Sequence, residues 1–275
     1  MRLRIVSLFA LREVRSSVKG RWFLVGTVTF ALLALAVSRL GMAGAERWGV
    51  STFDRSTVAL LNLVFLFVPL LTLPLGAASF AGEAEDGSLA YLMAQPVTRG
   101  EIYLGKVVGL LGAMTLSLGL GFGGAAMLIG AHGGSASRFG VLVAGAWLLG
   151  VVMTLVGVLL ATLAKNRVRA LAAAMGAWIL LVFLCDFGVL ALAASQSLGP
   201  EAMFGIAVAN PLEAVKTLVA LFVSKRLEVL GPVGVHAVQT LGRGGLAMLL
   251  VGVVALWSAL SAGAGYWLFR RGNFA

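Results

Sequence analysis

Gly100-Glu101-Ile102-Tyr103-Leu104-Gly105-Lys106 has the GxxxxGK spacing of a phosphate-binding loop, in which backbone N–H groups and a lysine surround phosphate oxygens. The next residue is Val107, where a serine or threonine hydroxyl should hold magnesium. Ile, Tyr and Leu fill the stretch that must be small for the backbone to wrap an anion, and the context is not the buried strand that such a loop follows. These residues do not make a nucleotide site. Thr98 and Glu101 explain the same letters as a capping box, hydroxyl and carboxylate satisfying N–H groups left free at a helix start. A helix from Arg99 to about Ala131 would be about 50 Å long, so its first turns must lie outside a hydrocarbon layer of about 30 Å.

Other chemistry finds less support. A hydrolase would need serine with histidine, paired carboxylates, or a metal motif such as HExxH. His132 and His236 have no serine-centred motif around them. The methionines are dispersed, and neither histidine has a soft neighbour at chelating spacing, so no metal site is expected. Cys185 is the single cysteine, which excludes a disulfide framework. Asp186 lies inside an apolar run, where a carboxylate at the bilayer centre costs about 2.5–3.5 kcal/mol. It either lines a pathway or sits nearer the outer end, bonded to a neighbouring helix or water. The chain reads as a non-catalytic protein.

The acids cluster elsewhere. Glu83, Glu85 and Asp86 precede Gly87, then Ser88 as cap of a short helix with Leu89, Leu92 and Met93 on one side, which Pro96 stops. Glu83 to Lys106 is thus a compact helix-turn-helix with acids at one end and Arg99 at the other: either a solvated charged loop or a contact surface.

The elements around this block must be membrane helices. Of 275 residues 60% are hydrophobic and 12% charged, and the mean hydropathy is +1.01, more apolar side chain than a soluble domain could cover. Six runs are long enough to cross: Trp22 to Ala43, Thr57 to Phe80, Val107 to Ala131, Phe139 to Ala164, Ala170 to Ser195 and Gly245 to Phe269. The first exceeds a usual signal-peptide core, so a retained span is expected despite Ala43-Gly44-Ala45. Basic residues concentrate on the connections shared with both termini, which places both termini in the cytoplasm. The net charge of +10 brackets the spans and forms no single stripe, which favours the lipid bilayer and not nucleic acid as partner.

Residues 1–21 are expected to form an interfacial helix, with Leu3, Val6, Ala10, Leu11, Val14 and Val18 on one face. Pro69 and Pro74 either bend the second span or are tolerated in it. Gly105 with Gly109, Gly119 with Gly123, and Ala172 with Gly176 have the four-residue spacing of close helix contacts. In the outer segment 196–244, Asn210 can cap, Pro211 suits the first helical position and Glu213 completes a capping pattern. With Leu212, Val215, Leu218, Val219 and Phe222 on one face, a helix of about 20 residues lying against or dipping into the membrane is expected.

The series Glu83, Glu85, Gly87-Ser88-Leu89, Leu92, Gln95-Pro96-Val97-Thr98-Arg99, Ile102 and Leu104-Gly105-Lys106 resembles the loop between the second and third spans of ABC-2-type transporter permeases. There acidic residues, Gly-Thr-Leu, a Pro-Val-Ser-Arg turn and a Leu-Gly-Lys helix follow one another; Ser88 for Thr and Thr98 for Ser are conservative departures. The resemblance extends over one domain, 1–275, an all-α polytopic membrane fold of six transmembrane helices with an N-terminal interfacial helix and an extracytoplasmic or re-entrant helix between spans five and six. It implies that 81–106 is a cytoplasmic coupling loop docking on a separate ATPase, with Glu83, Glu85, Asp86, Gly87, Pro96, Thr98, Arg99 and Glu101 near that contact. It also implies two ATPase subunits carrying the ATP and Mg, a second copy of this chain, no cofactor on the chain itself, and the inner membrane as location.

Within the family, Gly49-Val50-Ser51-Thr52-Phe53-Asp54-Arg55, the Leu60-Leu61-Asn62-Leu63 and Val68-Pro69-Leu70 segments, and Asn210-Pro211 are most similar to the permease of the nitrous-oxide-reductase maturation transporter. That likeness implies docking of a periplasmic accessory protein at Asn210, Pro211, Glu213 and Phe222. ATP-driven export and mechanical transmission to an outer partner without solute transport remain alternatives at this stage.

Overall fold

The computed structural model describes residues 2–48, 52–131, 136–164, 166–184, 188, 199–223 and 231–272, and every element among them is helical. In chain order these are α1 (Leu3–Lys19), α2 (Arg21–Trp48), α3 (Thr52–Glu85), α4 (Ser88–Met93), α5 (Arg99–Ala131), α6 (Ala136–Leu163), α7 (Arg167–Ile179) with a π-helical turn at Leu180–Leu184, α8 (Pro200–Ala209), α9 (Pro211–Val223) and α10 (Gly231–Arg271). Five of them contain stretches long and apolar enough to span: Arg21–Leu40, Ala59–Glu85, Arg99–Ala131, Ala136–Leu163 and Ala237–Arg271. The bent pair α8 and α9 counts as a sixth if taken as one broken span or re-entrant loop. The expected fifth span, Ala170 to Ser195, is helical through Leu184; beyond that, apart from 188, it lies outside the described residues. Cys185 and Asp186 fall there too.

α3 is the centre of the bundle. It stays helical through Pro69 and Pro74 and packs on α6 backbone to backbone. A Cβ added at Gly76 would strike the Thr154 carbonyl, and one at Gly157 the Leu73 carbonyl, so only glycine permits this approach. α2 lies on α3 and α5, and a buried 2.6 Å bond between the Thr27 and Ser117 hydroxyls joins α2 to α5. Phe30, Leu60, Leu73, Leu110, Met114, Leu142 and Leu149 are fully enclosed. α2 and α10 turn much of their apolar surface outward, with Leu24, Val28, Leu32, Met248, Leu256 and Leu260 exposed, as lipid-facing helices do. α10 is broken at Gly242, whose φ of 70° and ψ of 165° are not helical.

Three expectations need correction. α1 packs through only part of the face read from sequence: Val6, Ala10 and Val14 lie against α5, but Leu3 and Leu11 are exposed and the acid Glu13 is buried. It lies along α5, Val6 and Phe9 against Gly105, Ala10 and Glu13 against Gly109. Of the small-residue pairs, Gly105 with Gly109 thus makes a helix contact, but a Cβ at Gly119, Gly123 or Gly176 would meet nothing within 4 Å. The outer helix expected after Asn210 ends at Val223 within the described residues and is preceded by α8, the two meeting at 106°. Asn210 has extended backbone, as the residue before a proline prefers, and Pro211 has no N–H to continue a helix.

Candidate functional site

The charged block forms a short hairpin on the end of α3. Gly87 takes φ +72°, a left-handed conformation that costs other residues a steric penalty, and this turns the chain out of α3 into α4. Ser88 is the first residue of α4 and not its cap; its hydroxyl donates to the Glu83 carbonyl at 3.3 Å. Leu89 and Leu92 are buried beneath α4, while Tyr91 stands 70% exposed.

After Pro96 the chain enters α5 through the expected capping box. The Thr98 hydroxyl accepts from the Glu101 N–H at 3.2 Å and Glu101 Oε2 accepts from the Thr98 N–H at 3.0 Å. The other carboxylate oxygen of Glu101 accepts from the Arg2 N–H at 2.8 Å, and the Arg2 guanidinium donates to the Pro96 carbonyl at 2.7 Å. Gly100 to Lys106 is therefore helix, with no loop to enclose a phosphate.

Below this turn sits a buried ion cluster that links three helices. Lys106, 1% exposed, donates to Glu13 Oε2 of α1 at 2.7 Å and faces Glu83 Oε2 of α3 at 2.9 Å as an ion pair. Ser79 donates to Glu13 Oε1 at 2.6 Å, and Arg12 approaches Glu83 Oε1 at 3.3 Å. The Lys106 ammonium also lies 5.0 Å from the centre of the Phe80 ring, within cation–π range. Buried charges persist when paired and hydrogen-bonded; removing one partner is costly, whereas replacing the whole set with apolar groups is often neutral.

Glu85 and Arg99 also bond within the chain. Glu85 Oε2 accepts from the Arg167 N–H at 2.8 Å, tying the end of α3 to the first turn of α7. Arg99 donates to the carbonyls of Arg270 and Gly272 at 2.8 and 2.9 Å, capping the end of α10, where a cation offsets the helix dipole. Beside it Tyr103 donates to the Ala262 carbonyl at 2.9 Å and packs in a ring cluster with Phe80, Tyr266 and Phe269. Of the predicted residues, Glu83, Glu85, Thr98, Arg99 and Glu101 are thus engaged within the fold; Glu85 is also exposed, as are Asp86, Gly87 and Pro96 beside Tyr91 and Gln95. Glu13, Ser79, Arg2 and Tyr91 were not foreseen. A charged position at the i+3 step from Ala10 on an otherwise apolar face was the available signal for Glu13.

The second candidate region is the corner at Asn210. Its Oδ1 accepts from the Leu212 N–H at 3.0 Å, the expected cap of α9, and its Nδ2 donates to the Leu181 carbonyl at 2.8 Å. Leu181 belongs to the π-helical turn, where the backbone ladder is loosened. Pro211 is buried, Glu213 pairs with Lys216 at 2.8 Å and Phe222 is exposed.

The sequence matches the ABC-2 family transporter protein over residues 8–273. Among curated relatives, the probable ABC transporter permease protein NosY of Pseudomonas aeruginosa is 28% identical over 285 aligned positions, covering 97% of this chain and 98% of the relative. The protein of the same name from Stutzerimonas stutzeri is 30% identical over 212 positions, 74% of this chain and 77% of the relative. A match across nearly the whole length, on a bundle of spanning helices interrupted by this acidic hairpin, makes the chain a member of the ABC-2 transporter family and, within an ABC transporter, a permease subunit.

Proposed function

We propose that this permease couples ATP hydrolysis in a separate subunit to a rearrangement of its membrane helices, and that the hairpin at 81–106 is where the ATPase grips. The observation that carries this reading is the way the hairpin is fastened. Glu83 and Lys106 lock it to α1, Glu101 to Arg2, Glu85 to α7 and Arg99 to the end of α10. A push on its exposed end therefore reaches three further helices, α1, α7 and α10, without being absorbed by a loop. The contact itself falls on Asp86, Tyr91, Gln95 and Pro96. Two copies of the chain with two ATPases frame the transporter, with both termini on the cytoplasmic side of the inner membrane. ATP and Mg belong to the ATPase, and only contacts that differ between its nucleotide states can shift the helices.

The test is co-purification of the ATPase with wild type and Tyr91→Asp, followed by ATP-dependent function of the assembly. Loss of the ATPase from a folded variant is expected; full retention with full function would overturn the assignment. Glu85→Arg is the companion variant, though it also disturbs the start of α7.

Transmission to an outer protein, docked near Asn210 to Phe222, is favoured over export of a polar solute by one feature. The buried hydroxyls of Thr27, Ser117, Ser38 and Thr72 are all satisfied within the bundle, leaving no polar row among them for a solute. Stimulation of the assembled ATPase by small polar solutes would reverse this preference.

A further inference from the structure

Next to the ion cluster a cleft of about 390 Å³ opens where α1 ends, α2 begins, and α3 faces the start of α7. Its size falls within the range of about 300–1,000 Å³ of small-molecule sites. Arg21 and Arg167 line it from different helices. Among the described residues neither guanidinium has a carboxylate within ion-pair distance. This is so although Glu13 and Glu83 line the same cleft, because those acids are already matched to Lys106, Arg12 and Ser79.

The cleft is also placed at a membrane boundary. Arg21 opens α2 and Arg167 opens α7, and both helices lead from this end into apolar sequence. Trp22 follows Arg21 and is half-exposed, the arrangement of an interfacial anchor. Ser16 and Ser17 line the cleft, their hydroxyls without a partner among the described residues, while Phe23 and Leu75 give it an apolar side. Two arginines and two hydroxyls suit a phosphate, and the apolar side suits the head of an acyl chain.

Asp86 decides between phosphates. It lines the cleft, is exposed and has no ion pair among the described residues, so a purely anionic ligand would meet an unmatched carboxylate. We propose that the cleft binds one aminophospholipid from the leaflet beside α1, its phosphate held by Arg21 and Arg167 and its amine by Asp86. The site shares Asp86 with the proposed ATPase contact, so lipid retention is read on the permease alone and its loss is distinct from loss of the ATPase.

Native mass spectrometry of the full chain, loaded in turn with phosphatidylethanolamine, phosphatidylglycerol or inorganic phosphate, tests it. Wild type should retain one phosphatidylethanolamine several-fold better than phosphatidylglycerol and hold no inorganic phosphate. R21A/R167A should lose that retention at least fivefold, and D86N should bring the two lipids level. Equal retention by wild type and R21A/R167A, equal ranking of the two lipids by wild type, or displacement of lipid by millimolar inorganic phosphate would each overturn the proposal. Should the double variant not fold, R21A and R167A alone decide: a fall in either supports the site, and no fall in both refutes it.

Discussion

Lys106 neutralises carboxylates from two other helices, and its loss should be felt more than any surface charge. Lys106→Met leaves Glu13 buried without its cation, a defect worth about 3–5 kcal/mol, and thermal unfolding in detergent should shift down accordingly. The triple variant E13Q/E83Q/K106M should regain most of that loss, since no uncompensated charge remains. A single variant as stable as wild type would show that the cluster is already solvated. Thr98→Ala removes one half of the capping box and should cost about 1 kcal/mol by the same measurement. That box was readable from sequence because both partners lie within one turn. The roles of Glu83 and Arg99 were only half readable, their positions near the hairpin being visible but not their partners, and for Glu101 the cap was visible but not the bond to Arg2. Glu13 and Lys106 are separated by 93 residues, and no local pattern reports that α1 folds back along α5.

Helices were legible wherever hydropathy alone demands them, and their ends wherever capping is local. What sequence could not supply was the choice of contact face. Gly105 and Gly109 look like Gly119 and Gly123 as letters, yet the first pair seats α1 and the second faces open space. A Cβ at Gly109 would come within 2.6 Å of the Ala10 carbonyl, so Gly109→Leu should lift α1 away. Faster tryptic cleavage at Arg4, Arg12, Arg15 and Lys19 would report it, while Gly119→Leu should leave the digestion pattern unchanged. The division of the outer segment into α8 and α9 was missed for a related reason. Asn210 was recognised as a cap, but its second bond reaches a carbonyl 29 residues away. Asn210→Asp retains an acceptor for the Leu212 N–H and loses the donor to Leu181; Asn210→Ala loses both. Amide exchange at Leu212 should therefore quicken in the alanine variant and stay slow in the aspartate one.

At the scale of the molecule, residues near both ends of the sequence converge on the first turn of α5: Arg2 bonds Glu101 and Arg99 bonds Arg270 and Gly272. Arg99→Ala should leave ATPase association intact and lower ATP-dependent function, because only the tie to α10 is cut; co-purification and turnover measured on one preparation separate the two effects. The π-helical turn at Leu180–Leu184 carries a consequence of another kind. Such a turn is an α-helix with one surplus residue folded into it. Excising Val182 would let the chain close into regular α-helix, rotating everything downstream by about 100° relative to α7. The Leu181 carbonyl would be reclaimed by its own helix, and the α8–α9 corner would lose its mooring while the hairpin at the opposite end kept every bond it has.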